Sequence, residues 1–198
     1  MKLLDLFCGR WGWSRAFAKR GWECVGIDLV KPPNTPEGCT FFKWNILNLT
    51  AEWITDVYKP DFIVASSPCQ EFSKTCKGGM GCFYPNAPYP TMGIKLFNHT
   101  REICEQSAIP YLMENVRGAG QWVGNAVHHC GPFYLWGNAV PPLMPKGITK
   151  GTTNMGNWNK NKKLGPQKSA AELATIPLLL SSCVADYAER IVSPERKA

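Results

Sequence analysis

Between Glu114 and Glu172 the chain has neither aspartate nor glutamate. That gap excludes local charge balance over a long stretch. Long apolar runs are also missing: none approaches the roughly 20 residues that a membrane-spanning helix needs. Nine cysteines are present, yet no two form a Cys-x-x-Cys pair. Their scatter argues against a disulfide scaffold and for a reducing compartment. Cys69, Cys76 and Cys82 match no zinc spacing, so no metal is expected. The N-terminus meets Asp5 at once, which excludes a signal peptide. A cytoplasmic, monomeric protein without membrane contact is the expectation. No internal repeat is visible.

What is present is a chain of 198 residues, 44% hydrophobic, enough for one domain with a proper core. The acid-free span holds Arg117, Lys146, Lys150, Lys160, Lys162, Lys163 and Lys168. These seven charges equal the formal net charge of +7; elsewhere 15 basic residues balance 15 acidic ones. A one-sided segment of this kind suits a polyanion, and equally a solvated lysine-rich loop. Residues 141–168 combine four prolines, four glycines, four asparagines and six lysines. Residues 141–169 therefore read as a short basic appendage, with 1–140 and 170–192 forming the main domain.

Apolar runs alternate with helical patterns. Strands are expected over 3–7, 24–28, 40–46, 61–66, 111–116 and 133–136. Helices are expected over 14–20, closed by Gly21, over 50–58 with Thr50 as N-cap, over 92–107 and over 176–191. This alternation implies an α/β fold, a doubly wound and mostly parallel sheet with helices on both faces. Residues 70–90 read as one long loop, a length that usually marks function.

Two strand ends carry chemistry. Pro68-Cys69-Gln70 follows the strand at 61–66, and Glu114-Asn115-Val116 ends the strand at 111–116. A thiol and a carboxyl on one sheet edge are the smallest kit for attacking an electron-poor ring. At the first strand end, Gly9 and Gly12 punctuate a strand-to-helix turn, where a ligand can approach the backbone. Asp28, ending the next strand, suits ribose hydroxyls. A plain N-cap would explain that aspartate as well.

Taken together, these motifs resemble the cytosine-C5 DNA methyltransferase family, in a small, phage-like form. Asp5-Leu6-Phe7-Cys8-Gly9 is similar to the family's cofactor loop. Pro68-Cys69-Gln70 with Phe72-Ser73 is similar to its catalytic loop, and Glu114-Asn115-Val116 to its base-recognising motif. The order is the family's. The resemblance covers most of residues 3–137, and 170–191 more loosely. It implies a Rossmann-like methyltransferase fold with S-adenosylmethionine as cofactor. The cofactor would lie against Asp5, Phe7, Cys8, Gly9, Trp11, Gly12, Asp28, Leu29, Asn45, Ile46, Ser67 and Pro68. Cys69 would be the nucleophile, Glu114 would bind and protonate the base, and Asn115 would brace the catalytic loop. Gln70, Ser73, Lys74, Arg117, Lys160, Lys162 and Lys163 would contact DNA, whose target cytosine would leave the stack. Lys74 and Lys77 are candidate sources of the positive field that ionises a thiol.

Three departures stand out. Trp11 replaces the first of two adjacent glycines, where it would cover the cofactor or narrow its pocket. The family's Gln-x-Arg-x-Arg motif is not found before residue 133. His128 and His129 lie near its place, although surface or turn histidines are the plainer reading. The large target-recognition domain is absent, and 141–168 is all that stands there. RNA as substrate, or a relative that binds without turnover, are the competing readings.

Overall fold

The computed structural model describes residues 1–72, 91–148 and 175–193. Seven strands form one sheet: β1 (Lys2–Leu6), β2 (Glu23–Asp28), β3 (Cys39–Lys43), β4 (Phe62–Ser66), β5 (Tyr111–Asn115), β6 (His128–Cys130) and β7 (Phe133–Trp136). Their order is β3-β2-β1-β4-β5-β7-β6. β1 to β5 are parallel to one another, while β7 is antiparallel to both β5 and β6. Strand order reverses between β1 and β4. In open α/β sheets the crevice at that reversal, outside the carboxyl ends of the strands, is where ligands bind.

Among the described residues the α-helices are α1 (Ser14–Ala18), α2 (Thr91–Ser107), the short α3 (Gly120–Val123) and α4 (Leu178–Val192). Two apolar layers sandwich the sheet. On one face Leu3, Val64, Leu112 and Leu135 pack against Trp13, Phe17 and the α4 residues Leu180, Val184 and Ala188. On the other, Leu4, Ile63, Ala65 and Met113 pack with Phe97, Ile103 and Cys104 of α2. Both faces of the sheet are thus covered, which is why β4 reads as a continuous apolar run and β1 as one interrupted only by Asp5, rather than as alternating strands. Among the described residues no helix is long and apolar enough to cross a membrane.

Expected and observed elements differ at three places. The third strand stops at Lys43, because the Asn45 side chain accepts from Leu47 N at 3.0 Å and caps a short 3-10 turn instead. Thr50 Oγ1 accepts from Trp53 N at 3.3 Å, as an N-cap does, but the helix widens to a π form over Trp53–Tyr58. The strand His128–Cys130 and the turns between Arg117 and Val123 carry no local signal; pairing with β7 makes the former. The start of the expected appendage packs on the domain. Ile148 is buried in the first layer, and a Cβ on Gly131 would stand 2.1 Å from the Ile148 carbonyl oxygen. The rest of that segment lies outside the described residues.

Candidate active site

The carboxyl ends of β1, β2, β4 and β5 share one rim, and a cavity of about 290 Å³ opens there. That is the lower end of the range for small-molecule sites. Cys69 and Glu114 both line it, as do Ser67, Pro68 and Gln70. The opposite wall is Phe7, Cys8, Gly9, Gly12 and Asp28. The sheet register explains the meeting: Ser66 of β4 lies beside Glu114 of β5, so the residues that follow each strand emerge side by side.

The wall at β1 and β2 is built from backbone hydrogen bonds. Phe7 N and Cys8 N both donate to Ile27 O, at 2.9 and 3.2 Å. Asp28 then accepts from Gly9 N at 3.0 Å on Oδ2 and from Leu29 N at 2.7 Å on Oδ1. One carboxylate therefore fastens both loops. Oδ1 also accepts from Val30 N at 3.4 Å, so Oδ2 is the oxygen with a lone pair left for a ligand's hydroxyl.

Beneath this turn Asp5 is wholly buried and accepts from Ser14 Oγ at 2.6 Å, fixing the start of α1. Burial pushes its carboxyl up from 3.8 to about 7, against the opposing pull of the Ser14 hydrogen bonds. Asp5 thus sits behind the cavity wall rather than on it.

Two thiols line the cavity, and their surroundings differ. Cys8 is 4% exposed, and burial together with the Asp5 and Asp28 carboxyls pushes its thiol well above the usual range. Cys69 is half-buried. A thiol held protonated is a poor nucleophile, so Cys8 is the weaker candidate of the two.

The turn that carries Cys69 is tied to β5. Asn115, fully buried, donates through Nδ2 to Ser67 O at 3.1 Å and to Ser67 Oγ at 3.0 Å. Its Oδ1 accepts from Val116 N at 2.8 Å. Trp13 Nε1 donates to Ser66 Oγ at 2.9 Å, so α1 grips the same strand end. Glu114 is 6% exposed at the cavity wall.

Several expected residues stand elsewhere. Trp11 does not cover the cavity: its ring is buried beneath the turn, against Gly26 of β2. Asn45 caps its own turn, and Ile46 is buried in the second apolar layer. Leu29 is 56% exposed beside Asp28 without lining the cavity. Gly12 serves packing as well as any ligand: a Cβ there would lie 2.9 Å from Ile176 N. Arg117 is exposed on the turn after β5. His129 stacks on Tyr134, ring centroids 5.1 Å apart, at the sheet edge. His128 shares a register row with Leu135 and Glu114, with β7 between them. Neither histidine lines the cavity. Ser73, Lys74, Lys77, Lys160, Lys162 and Lys163 lie outside the described residues.

The cavity also includes residues that sequence reasoning passed over: Arg10, Trp13, Ser66, Thr175 and Ile176. Arg10 and Trp13 lie inside the glycine-punctuated turn, and Ser66 is the last residue of a recognised strand. Those signals were within reach. Thr175 and Ile176 arrive through a tertiary contact with Gly12, which no local pattern announces.

The donor set fits S-adenosylmethionine. Asp28 offers Oδ2 to a ribose hydroxyl. At Gly9, with φ of +47°, an added Cβ would meet only Phe7 O, at an ordinary contact distance of 3.7 Å, so the position is not crowded by the protein.

The sequence model of C-5 cytosine-specific DNA methylases matches residues 1–121. No curated protein matches. Among solved structures, a mutant of DNMT2 from Spodoptera frugiperda is 26% identical, over 61% of this chain and 37% of its own, with a TM-score of 0.39. The 1,6-didemethyltoxoflavin-N1-methyltransferase of Burkholderia thailandensis, bound to S-adenosylhomocysteine, is 14% identical over 68% of this chain and 53% of its own, at 0.35. The 16S rRNA (adenine(1408)-N(1))-methyltransferase of Catenulisporales acidiphilia is 16% identical over 61% and 58%, at 0.33. This chain thus spans between 37% and 58% of those three proteins. With a doubly wound sheet, a thiol and a carboxyl at its rim and a match over more than half its length, the chain belongs to the C-5 cytosine-specific DNA methylase family, whose methyl donor is S-adenosylmethionine.

Proposed function

We propose that this protein methylates C5 of cytosine in DNA through a covalent bond between Cys69 Sγ and C6 of the base. The observation that carries this reading is the shared cavity: Cys69 and Glu114 face it from adjacent strand ends, while Gly9 and Asp28 form its other wall.

C5 of cytosine is a poor nucleophile. Addition of the Cys69 thiolate at C6 makes C5 electron-rich. Glu114 holds the N3 and N4 edge of the ring and gives a proton to N3 as the thiolate adds. A carboxyl that gives a proton near neutrality needs a water-poor setting, and the burial of Glu114 favours that. Asn115 keeps Ser67, and through it Pro68 and Cys69, at a fixed place beside Glu114. Asp28 and the backbone at Gly9 hold the cofactor. When bound, S-adenosylmethionine supplies an electrophilic methyl group. Loss of the C5 proton to a base then lets Cys69 leave by elimination. A cytosine inside a duplex cannot present C6 to a thiol without leaving the stack, a cost of a few kcal/mol that pocket and phosphate contacts offset. The lysine-rich span 146–168 supplies sequence-independent phosphate contacts.

The test is methyl transfer from labelled cofactor to DNA, RNA and free nucleotides, with Cys69→Ser as control. Transfer to DNA, lost in Cys69→Ser, supports the reading, as does a covalent adduct with 5-fluorocytosine DNA mapped to Cys69. Transfer to RNA alone moves the substrate class. An adduct at Cys76 or Cys82 overturns the nucleophile.

A further inference from the structure

After Cys69 the chain makes a short 3-10 turn, Gln70–Phe72, closed by Phe72 N donating to Cys69 O at 3.1 Å. An acid sits in the middle of it. Glu71 is only 6% exposed and does not line the cavity. Its side chain runs the other way, to α2, where Gly93 N donates to Oε2 at 2.7 Å. Gly93 is the third residue of α2, one of the amides at a helix start that have no partner inside the helix. A carboxylate there also meets the positive end of the helix dipole. The second oxygen, Oε1, is buried with no partner among the described residues.

Burying an acid is costly unless its oxygens are hydrogen-bonded or paired, and Gly93 N meets one of the two. What the acid fixes is visible in two glycines. A Cβ on Gly93 would lie 3.0 Å from the Phe72 ring and 3.2 Å from Glu71 Oε2. A Cβ on Gly118, in the turn after β5, would lie 2.2 Å from the Phe72 carbonyl oxygen. The Cys69 turn is therefore wedged between the start of α2 and the turn that follows Glu114 and Asn115. Asn115 holds the residue before Pro68, on the upstream side. Glu71 and Phe72 hold the downstream side.

We propose that Glu71 is a positioning residue: by capping α2 it locks the turn after Cys69 and sets the place of the thiol opposite Glu114. Its effect on turnover rests on the reading of Cys69 as nucleophile, but its effect on the turn does not. In fitted active sites a misplacement of about 1 Å can cost on the order of 10²-fold in rate. Glu71→Ala removes the acceptor. Glu71→Gln keeps an oxygen for Gly93 N. Gly93→Ala pushes on the same contact from the helix side.

The experiment compares these three full-length variants with the wild type in four measurements. These are melting temperature, affinity for S-adenosylhomocysteine, single-turnover methyl transfer, and the rate of iodoacetamide labelling at Cys69 by peptide mass spectrometry, with Cys183 as internal reference. Glu71→Ala and Gly93→Ala should slow methyl transfer by about 10- to 10²-fold and change Cys69 labelling several-fold relative to Cys183. Cofactor affinity should hold, and Glu71→Gln should recover most of the rate. Wild-type transfer and labelling in Glu71→Ala overturn the proposal. So does a Glu71→Gln variant as impaired as Glu71→Ala. Labelling needs no nucleic acid, so it still reads the turn if the wild type proves inactive on cytosine.

Discussion

Asp5 offers a quantitative test of the buried layer under the cavity wall. Its carboxyl is pushed from 3.8 to about 7, with burial as the main cause and Ser14 opposing it. Between about pH 4 and pH 7 the folded protein therefore keeps a proton that the unfolded chain has released. Stability must fall as pH rises through that window, and the full cost is present above pH 7. At about 1.36 kcal/mol per pH unit the whole span is worth roughly 4 kcal/mol, of which roughly 2–3 kcal/mol falls between pH 5 and pH 8. For a domain of this size that corresponds to about 5–10 °C in melting temperature. Asp5→Asn keeps an oxygen to accept from Ser14 Oγ and cannot ionise. The assay is thermal unfolding of both proteins at pH 5 and pH 8. The gap between wild type and Asp5→Asn should shift by that amount in favour of the variant at the higher pH. Parallel curves would refute the argument, whatever the offset between them.

Other outcomes follow from the same geometry. Glu114→Gln keeps the size of the side chain and removes the acid, so turnover should drop by about 10² to 10⁴, with S-adenosylhomocysteine affinity nearly unchanged by calorimetry. Gly26→Ala places a Cβ 2.3 Å from the Trp11 ring and 2.8 Å from Cys8 Cβ. Overpacking of that kind should cost about 1–3 kcal/mol in denaturant unfolding, and the same Gly26→Ala change should cost less in a Trp11→Gly background, where the ring it strikes is gone. Replacing Lys160, Lys162 and Lys163 by alanine should weaken DNA binding alike on all sequences. The salt slope should fall by up to about 0.9 per lost phosphate contact, while cofactor binding stays the same.

The sheet was legible because both its faces are covered. Residues 62–65 are apolar without a break and residues 3–6 are broken only by Asp5, and runs this short between turn residues fit buried strands better than helices. The late strands were half visible. Phe133–Trp136 has a strand's composition, but His128-His129-Cys130 has none, and only its pairing with β7 makes it a strand. The rim residues were found for a simple reason. A cysteine flanked by proline, and a glutamate followed by asparagine, each stop an apolar run, and the ends of parallel strands meet at one edge. What stayed hidden depends on three-dimensional closeness. Asp5 reads as part of the cofactor turn, yet its neighbour is Ser14. Glu71 reads as a filler between Gln70 and Phe72, and its partner is 22 residues away.

Trp11 shows how a local rule can be broken and repaired at a distance. The turn after β1 takes a left-handed backbone at Phe7 and Trp11, both near φ +61°. An L residue adopts it at a cost of about 1–2 kcal/mol. Glycine at position 11 would avoid that cost, and a tryptophan there invites the idea of a lid over the cofactor. The ring goes the other way. It is fully buried, its six-membered edge occupying the space above Gly26. The large apolar area removed from water, at about 25 cal/mol per Å², offsets both the left-handed backbone and an indole Nε1 buried without a partner among the described residues. A glycine inside a central strand normally weakens it; here it is the space into which the ring fits. The need for a glycine has thus moved from the loop to the neighbouring strand. Because the ring is held below the turn, the cavity keeps its wall of Gly9, Gly12 and Asp28.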